Sequence, residues 1–358
     1  MSLFDRLLGR GASSVTVPVM DGPFLPNQKL ETAAVAAALP DADNLVVHKG
    51  ALFASSGNRL MRAGADGGFE LVEAFKHPIS ALASHGETLA IGLNGHGVEI
   101  RGGAFDNKSF AANNNGLHCV TAAAFASDGE LLLCSGSAMA RPHEWRRSLL
   151  QLDASGAVLK LDLRTGSVAR TLGDLAWPAG IALARDKMFV AESWRHRIFA
   201  APRAGGRAEV ALGNLPAYPA RIIASSAGGY WLSFYSVRNQ LVEFILQEGE
   251  YRRRMLSEIP EPFWMAPTLS SGQHFREPMQ GSQLKQMGIL KPYAVSRSYG
   301  LVAYCDAAMS PLGSLHSRAD GERHGAVAAC ERDGVLYVAS RGSHAVLRIA
   351  DPLTEISE

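Results

Sequence analysis

The apolar positions of this chain come in short runs broken by turns, and over most of its length they do not keep a helical period. One phrase recurs six times: a short apolar strand, a turn with Gly or Asp, then a second apolar strand ending in small residues. It reads NLVVHKGALFASSG (44–57), SALASHGETLAIGLNG (80–95), AAAFASDGELLLCSG (122–136), GIALARDKMFVAES (180–193), RIIASSAGGYWLSFYS (221–236) and AVAACERDGVLYVASRG (326–342). Each copy predicts a β-hairpin, because β-branched or small apolar residues flank a tight turn. Further strand-like runs follow several copies: VLKLDLRTG (158–166), RHRIFA (195–200), GLVAYCD (300–306) and HAVLRIA (344–350). Six units of about 40–60 residues with up to four strands each predict an all-β fold, a six-bladed β-propeller. Parallel βαβ architecture is disfavoured, because the hairpin turns are too short for crossover helices.

The last copy leaves room for only three strands. The apolar stretch LETAAVAAALP (30–40) is the candidate for the missing outer strand, which would close the ring. The expected organisation is an N-terminal extension (1–29) followed by one propeller (30–358). Two segments break the rhythm. ARPHEWRRSLLQ (140–151) has helix-compatible spacing inside the third unit. A longer excursion, about 237–292, spaces Leu241, Phe244, Ile245 and Met255 at helical intervals and predicts a helical insertion in blade 5. A connection of that size reads as a lid beside the channel mouth, or else as a surface excursion covering a blade edge.

Composition narrows the function classes. With 47% hydrophobic and 19% charged residues the chain can bury a large core. Gly at 36 and Pro at 17 of 358 residues favour turns over long helices. Lys+Arg (35) and Asp+Glu (34) balance to +1, so no field draws the chain to nucleic acid or an anionic membrane. Cys119, Cys134, Cys305 and Cys330 form no CxxC pair and no zinc-type cluster, so they read as buried, reduced core residues. The N-terminal MSLFDRLLGRG carries Asp5, Arg6 and Arg10 through its only apolar stretch and does not read as a signal peptide. The expected location is cytoplasmic.

The fourth copy with its surroundings, LGDLAWPAGIALARDKMFVAESWRHRIFA (172–200), and the fifth, LPAYPARIIASSAGGYWLSFYSVRNQL (215–241), resemble the strictosidine synthase-like family of six-bladed propellers. Its relatives include the paraoxonases and the gluconolactonase/regucalcin group, and DADNLVVHKGALFASSG (41–57) is similar to the paraoxonase-like version of the first copy. The resemblance covers about residues 40–350. It implies that function lies where each inner strand begins, at the channel mouth: Asp43, Ile79, Thr121, Ala179, Ala220 with Arg221, and Val327. Metal-dependent relatives place an acidic residue, two Asn and an Asp-Asn pair there, oxygen donors suited to Ca²⁺. Here only Asp43 is a carboxylate, and the other positions are Thr121, Ala179 and Ala220-Arg221. The expectation is that no metal or other cofactor is held, and that Arg221 stands in the metal's place, paired with Asp43. The alternative has Arg221 turned outward and Asp43 capping a turn. The family's condensation of amine with aldehyde uses a Glu on the sixth inner strand. That position is Val327 here, so Pictet–Spengler chemistry is not expected; Glu322 and His324 could reach it only with a shifted register.

Other chemistry is thin. No GxSxG elbow or phosphate loop occurs, and GHGVEI (95–100) reads as a turn. His77 and His118, and His324 before the sixth strand, are candidate bases or polar contacts near the mouth, weighed against loop or capping roles. Glu192 matches the family's VAE and is expected to brace neighbouring blades. Trp177, Tyr218, Tyr235, Phe263 and Trp264 could wall an apolar pocket or pack between sheets. Arg252, Arg253 and Arg254 read as a solvated helix face, with an anion or partner site as the alternative. Two functions stay open. One is a metal-independent hydrolase or lactonase for a small apolar molecule, using Asp43, Arg221, Thr121 and His324. The other is a catalytically degenerate propeller that binds a ligand or protein partner. Convergence of Asp43, Arg221 and one His on one open cavity separates them.

Overall fold

The computed structural model describes residues 17–64, 67–113, 115–278, 285–286, 289–290 and 297–357. The N-terminal stretch read for a signal peptide and part of the 237–292 excursion lie outside the described residues. The first strand, β1 (Ala34–Ala38), joins no sheet until the chain returns to it at its other end. Four strands then form blade 1: β2 (Ala42–His48), β3 (Ala51–Ser56), β4 (Arg59–Ala63) and β5 (Phe69–Ala74). Blade 2 is β6 (Ile79–His85), β7 (Thr88–Leu93), β8 (Gly97–Arg101) and β9 (Ser109–Ala111). Blade 3 is β10 (Val120–Ser127), β11 (Glu130–Ser135), β12 (Gly156–Asp162) and β13 (Val168–Leu175). Blade 4 is β14 (Pro178–Leu183), β15 (Lys187–Glu192), β16 (Arg197–Pro202) and β17 (Glu209–Leu212).

Blade 5 begins with β18 (Ala217–Ala224) and β19 (Tyr230–Val237). A small ladder, β20 (Lys285–Gln286) with β21 (Ile289–Leu290), falls within its insertion, and the blade ends with β22 (Leu301–Cys305) and β23 (Pro311–His316). Blade 6 is β24 (Ala326–Arg332), β25 (Val335–Ser340) and β26 (Ala345–Ala350), completed by β1, with Ala34 opposite Arg348 and Ala38 opposite Ala345. The ring is therefore closed by pairing across the two ends of the propeller.

Burial follows the stacking of blades. Second strands are covered on both faces, so β7 (TLAIGL) and β19 (YWLSFYSV) are buried at every position and read as continuous apolar runs. Outer strands such as β5 and β17 are largely exposed and carry polar residues. The hairpin turn Asp333-Gly334 has φ of 52° and 76°, the paired left-handed geometry whose twist matches the strands it joins. All four cysteines are free and buried; burial pushes the Cys119 and Cys330 thiols up to about 12.

The insertion supplies α2 (Gln240–Ile245) and α3 (Gly249–Glu258), and the earlier break supplies α1 (Trp145–Leu150). Each of these excursions joins the second and third strands of its blade. The end of the second strand lies opposite the start of the inner one, Ser135 opposite Val120 and Val237 opposite Ala217. Both excursions therefore rise on the face where the inner strands begin.

The outer edge of blade 5 is tied to the N-terminal segment, with Asn27 Nδ2 donating to Ser314 O at 2.8 Å and Asn27 Oδ1 accepting from His316 N at 2.9 Å. His316 is fully buried, contacts Ser314 Oγ through Nε2 at 2.8 Å, and has its pKa pulled down to about 4 by burial. Below the ordinary imidazole value of about 6.5 the unfolded chain accepts a proton that the folded chain refuses until about pH 4. The stability that depends on neutral His316 is thus complete above pH 6.5 and drains away as pH falls toward 4. Between pH 6.5 and 5 the loss should reach about 2 kcal/mol. Thermal melts across that range should show a falling Tm, and His316→Gln should flatten the slope; an unchanged slope would place the acid sensitivity elsewhere.

Candidate functional site

Every inner strand is irregular at the same level. The residues omitted from the ladder are 43–44 in β2, 80 in β6, 121 in β10, 179 in β14, 220–221 in β18 and 327 in β24. A bulge leaves backbone groups unpaired and re-aims them. The bulges of blades 1, 2 and 6 turn the carbonyl oxygens of Asp43, Ser80 and Val327 toward the channel. The sequence placed Ile79 in this ring; Ile79 does border the channel, but it pairs with Leu93 and also packs in the core between blades 1 and 2. The ring residue of blade 2 is Ser80.

Arg221 collects the freed oxygens. Its Nη1 donates to Asp43 O at 3.2 Å, Asp43 Oδ1 at 3.0 Å and Val327 O at 3.1 Å, and its Nη2 donates to Ser80 O at 3.1 Å. The Arg221 backbone N–H is fixed by Ser233 Oγ at 3.1 Å, whose own proton goes to Val327 O at 2.9 Å. Gly180 makes the approach of blades 4 and 5 possible: a Cβ there would stand 2.3 Å from Ala220 O and 2.9 Å from the Arg221 Cα. The other Asp43 oxygen, Oδ2, faces Arg341 Nη1 at 3.5 Å. Arg221 points inward, and the outward alternative does not occur.

Above this pair opens a cavity of about 60 Å³. Asp43, Ser80, Thr121, His143, Arg221 and Arg341 give it polar walls, and Trp145, Trp177, Tyr235 and Leu269 give it an apolar side. Trp145 stacks on Tyr235 (centroids 5.2 Å, 12°), and Trp177 stacks on Trp194 (5.6 Å, 21°). Trp177 has φ +58°, a backbone state that bulky residues rarely hold without surrounding support. Its indole N–H leans on the Tyr235 hydroxyl, while Ser80 Oγ and Arg221 Nε are buried away from the cavity without partners. Burial pushes the Tyr235 phenol up, against the opposing pull of Arg221.

His143 is the imidazole of this cavity, carried on the turn Pro142–Glu144 ahead of α1. Its Nδ1 meets the Asn94 amide at 3.0 Å. Sequence reasoning missed His143, Arg341, Trp145 and Ser80. The signal for two of them was the break in the repeat at 140–151, which delivers His143 and Trp145 to the mouth.

The remaining candidates are elsewhere. Thr121 lines the cavity, but its hydroxyl is spent on Pro178 O (2.5 Å) and Cys134 O (3.2 Å). His324 is buried, with Nε2 on Arg318 O (2.6 Å) and Nδ1 on Ser298 Oγ (2.7 Å), and burial lowers its pKa. His77 stacks flat on His96 at 3.2 Å, and His118 is a half-buried imidazole pulled down by desolvation; neither lines the cavity. Tyr218 is fully buried and donates to Glu243. Glu192, fully buried, accepts from Ala176 N (2.8 Å) in the connection from blade 3 and from Arg195 (2.5 Å) and Arg197 (2.6 Å) of its own blade. Trp264 packs under Arg146 and Arg147 with Nε1 on Ile259 O, and Phe263 lies against His274. Leu269 is the insertion's contribution to the cavity wall. Arg253 and Arg254 pair with Glu250 and Glu258 on exposed helix, while Arg252 donates to Leu150 O at 2.6 Å and docks α3 on α1.

No family model matches the chain. Adipocyte plasma membrane-associated protein of Bos taurus is 34% identical over 105 residues, 26% of this chain and 26% of that protein. The matched segment thus spans about a quarter of that relative's length. Among solved structures, a calcium-binding protein, regucalcin from Agrobacterium tumefaciens, superposes with a TM-score of 0.53 at 13% identity, covering 86% of this chain and 85% of that one. A putative gluconolactonase gives 0.55 at 13% identity, covering 89% and 91%. The chain is a six-bladed propeller of the regucalcin and gluconolactonase shape. Among the described residues no helix is long and apolar enough to cross a membrane, while the sequence relative is named for one.

Proposed function

We propose that the cavity is the active site of a metal-independent hydrolase of lactonase type, opening a small ester or lactone. The observation that carries this reading is the convergence of Asp43, Arg221 and a histidine, His143, on one cavity. Asp43 and three backbone carbonyls hold the guanidinium still. Of its five N–H groups the second Nη2–H carries none of these bonds, and it is the donor for the oxyanion that develops at the attacked carbonyl. His143, with its Nδ1–H donating to Asn94 Oδ1 at 3.2 Å, takes the proton of the attacking water at Nε2. The acyl C–O bond then breaks, and the same imidazole returns that proton to the leaving alkoxide. Thr121 shapes the ring through its bonds to blades 3 and 4.

The donor set does not suit a hard divalent ion. Ala179, Ala220 and Val327 bring no side-chain oxygen, Thr121 is committed, and the carbonyls that face the axis are taken by a cation already present. Six to eight oxygen ligands would be needed. The strictosidine synthase-like resemblance enters as kinship of fold only, because the sixth ring residue, Val327, cannot transfer a proton. The partner in this reading is a small, largely apolar molecule, with neither nucleic acid nor membrane engaged. Four free, buried cysteines support a reducing compartment, the cytoplasm.

The narrowness of the cavity favours a second reading, a propeller that binds a small ligand or a protein partner without turning it over. A panel of short lactones and aryl esters, assayed with and without chelator, separates the readings. Hydrolysis of a short-chain member at a rate unchanged by chelator is expected. Loss of activity with chelator would put a metal at the centre, and no hydrolysis across the panel would leave the binding module.

A further inference from the structure

We infer that the cavity takes a small molecule bearing a carboxylate, and that Arg341 selects for it. This rests on reading the cavity as the substrate site. The two guanidiniums are held very differently. Arg221 is engaged by Asp43 Oδ1 and three carbonyl oxygens, whereas Arg341 has a side chain 37% exposed and one ion pair, to Asp43 Oδ2 at 3.5 Å. Asp43 is the one carboxylate in the lining and already neutralises the fixed Arg221. The half-exposed Arg341 guanidinium is then the surplus positive charge of the cavity.

The uncommitted polar groups point the same way. Guanidinium nitrogens can only donate, and apart from the contact to Asp43 Oδ2 the Arg341 guanidinium and the second Nη2–H of Arg221 meet no acceptor among the described residues. A ligand that fits such a lining offers acceptors, and a carboxylate offers two oxygens with no proton, in the planar geometry that a guanidinium matches. The room of about 60 Å³ is far below the ~300–1,000 Å³ of pockets for drug-sized ligands, so the acid is small. The stacked Trp145 and Tyr235 would cover its apolar flank. Lactone hydrolysis itself yields a hydroxy acid, so the product of the proposed reaction carries the group that the cavity retains.

The test reads binding without turnover. Trp145 and Trp177 line the cavity, so ligand entry should change intrinsic tryptophan fluorescence. Wild-type protein titrated with lactate and with neutral lactamide should bind lactate at least about tenfold more tightly. Arg341→Met should erase that ratio with Tm unchanged, and Arg341→Lys should keep part of it. Equal affinity for acid and amide, saturation by neither, or a ratio that survives in Arg341→Met would overturn the inference. Should Arg341→Met unfold, Arg341→Gln gives the same reading. Carboxylate binding with no hydrolysis would sink the hydrolase reading alone, and hydrolysis of neutral lactones with no acid preference would sink this one alone.

Discussion

Replacing Arg221 by Met should lower kcat for lactone hydrolysis by about 10²–10³-fold, the loss seen when one preorganised oxyanion donor is removed. The expectation follows from what the guanidinium does on both sides. Toward the protein it satisfies Asp43 O, Val327 O and Ser80 O, three carbonyls that the bulges have withdrawn from their ladders. Toward the cavity, which Arg221 lines, it offers the Nη2–H that the bond to Ser80 O leaves over. Met fills the volume and supplies neither function. Asp43 keeps Arg341 as a counter-ion, so the substitution does not strand a carboxylate, and the expected stability loss is about 1–3 kcal/mol from the unsatisfied carbonyls. Arg221→Lys retains the charge but cannot span four oxygens with one ammonium, and should fall between the two. Steady-state kinetics on both variants, with thermal melts to confirm folding, checks this. A Met variant with wild-type kcat would remove Arg221 from the chemistry.

The repeat made the fold legible, because each blade has to write the same hairpin and a doubly buried second strand leaves an unmistakable apolar run, as in ELLLCS (130–135) and YWLSFYSV (230–237). The closing strand at 34–38 was legible for the same reason: a blade with three strands needs a fourth. The ring could be located by aligning the copies, except in blade 2, where Ile79 was taken for Ser80. A one-residue slip at a bulge leaves the hydrophobic pattern intact, and only the hydrogen-bond ladder shows which residue is left over. The histidines were harder still. His77, His118 and His324 lie close to inner strands in sequence, yet a propeller mouth is walled by loops from several blades, and the imidazole that reaches it comes from the second-to-third connection of blade 3. No period in the sequence marks His143, and chain proximity pointed to histidines that do not line the cavity. Arg341 was hidden for a related reason: it lies one residue past the end of β25, where repeat logic assigns only turn residues.

The channel residues are held rigidly by the bulged ring, whereas the face above them depends on one buried carboxylate. Glu243 sits on α2, at the start of the insertion that also brings Leu269 to the cavity. It is fully buried, with Oε1 accepting the Tyr218 hydroxyl proton at 2.9 Å and Oε2 accepting from Arg238 Nη2 at 3.2 Å. His196 Nε2 lies 3.5 Å away, but burial beside Arg238 holds that imidazole well below its ordinary value, so it is neutral and Arg238 is the true counter-ion. Burial and the neighbouring carboxylate push the Tyr218 phenol up, which keeps it a donor. Glu243→Ala would leave Arg238, 3% exposed, charged and facing only Leu215 O and Asn214 Oδ1. Breaking a buried pair from one side costs about 3–5 kcal/mol, a large share of the ~5–15 kcal/mol that a folded domain has in total. Glu243→Gln keeps an acceptor for Tyr218 and loses only the charge, so its cost should be smaller. The midpoint of urea unfolding measures both. Hydrogen exchange across residues 240–270 should rise in Glu243→Ala before any change in the inner strands, because α2 is pinned to the propeller through this contact while the ring is not. Uniform loss of protection across all six blades would instead make Glu243 a determinant of the whole propeller rather than of the insertion's attachment.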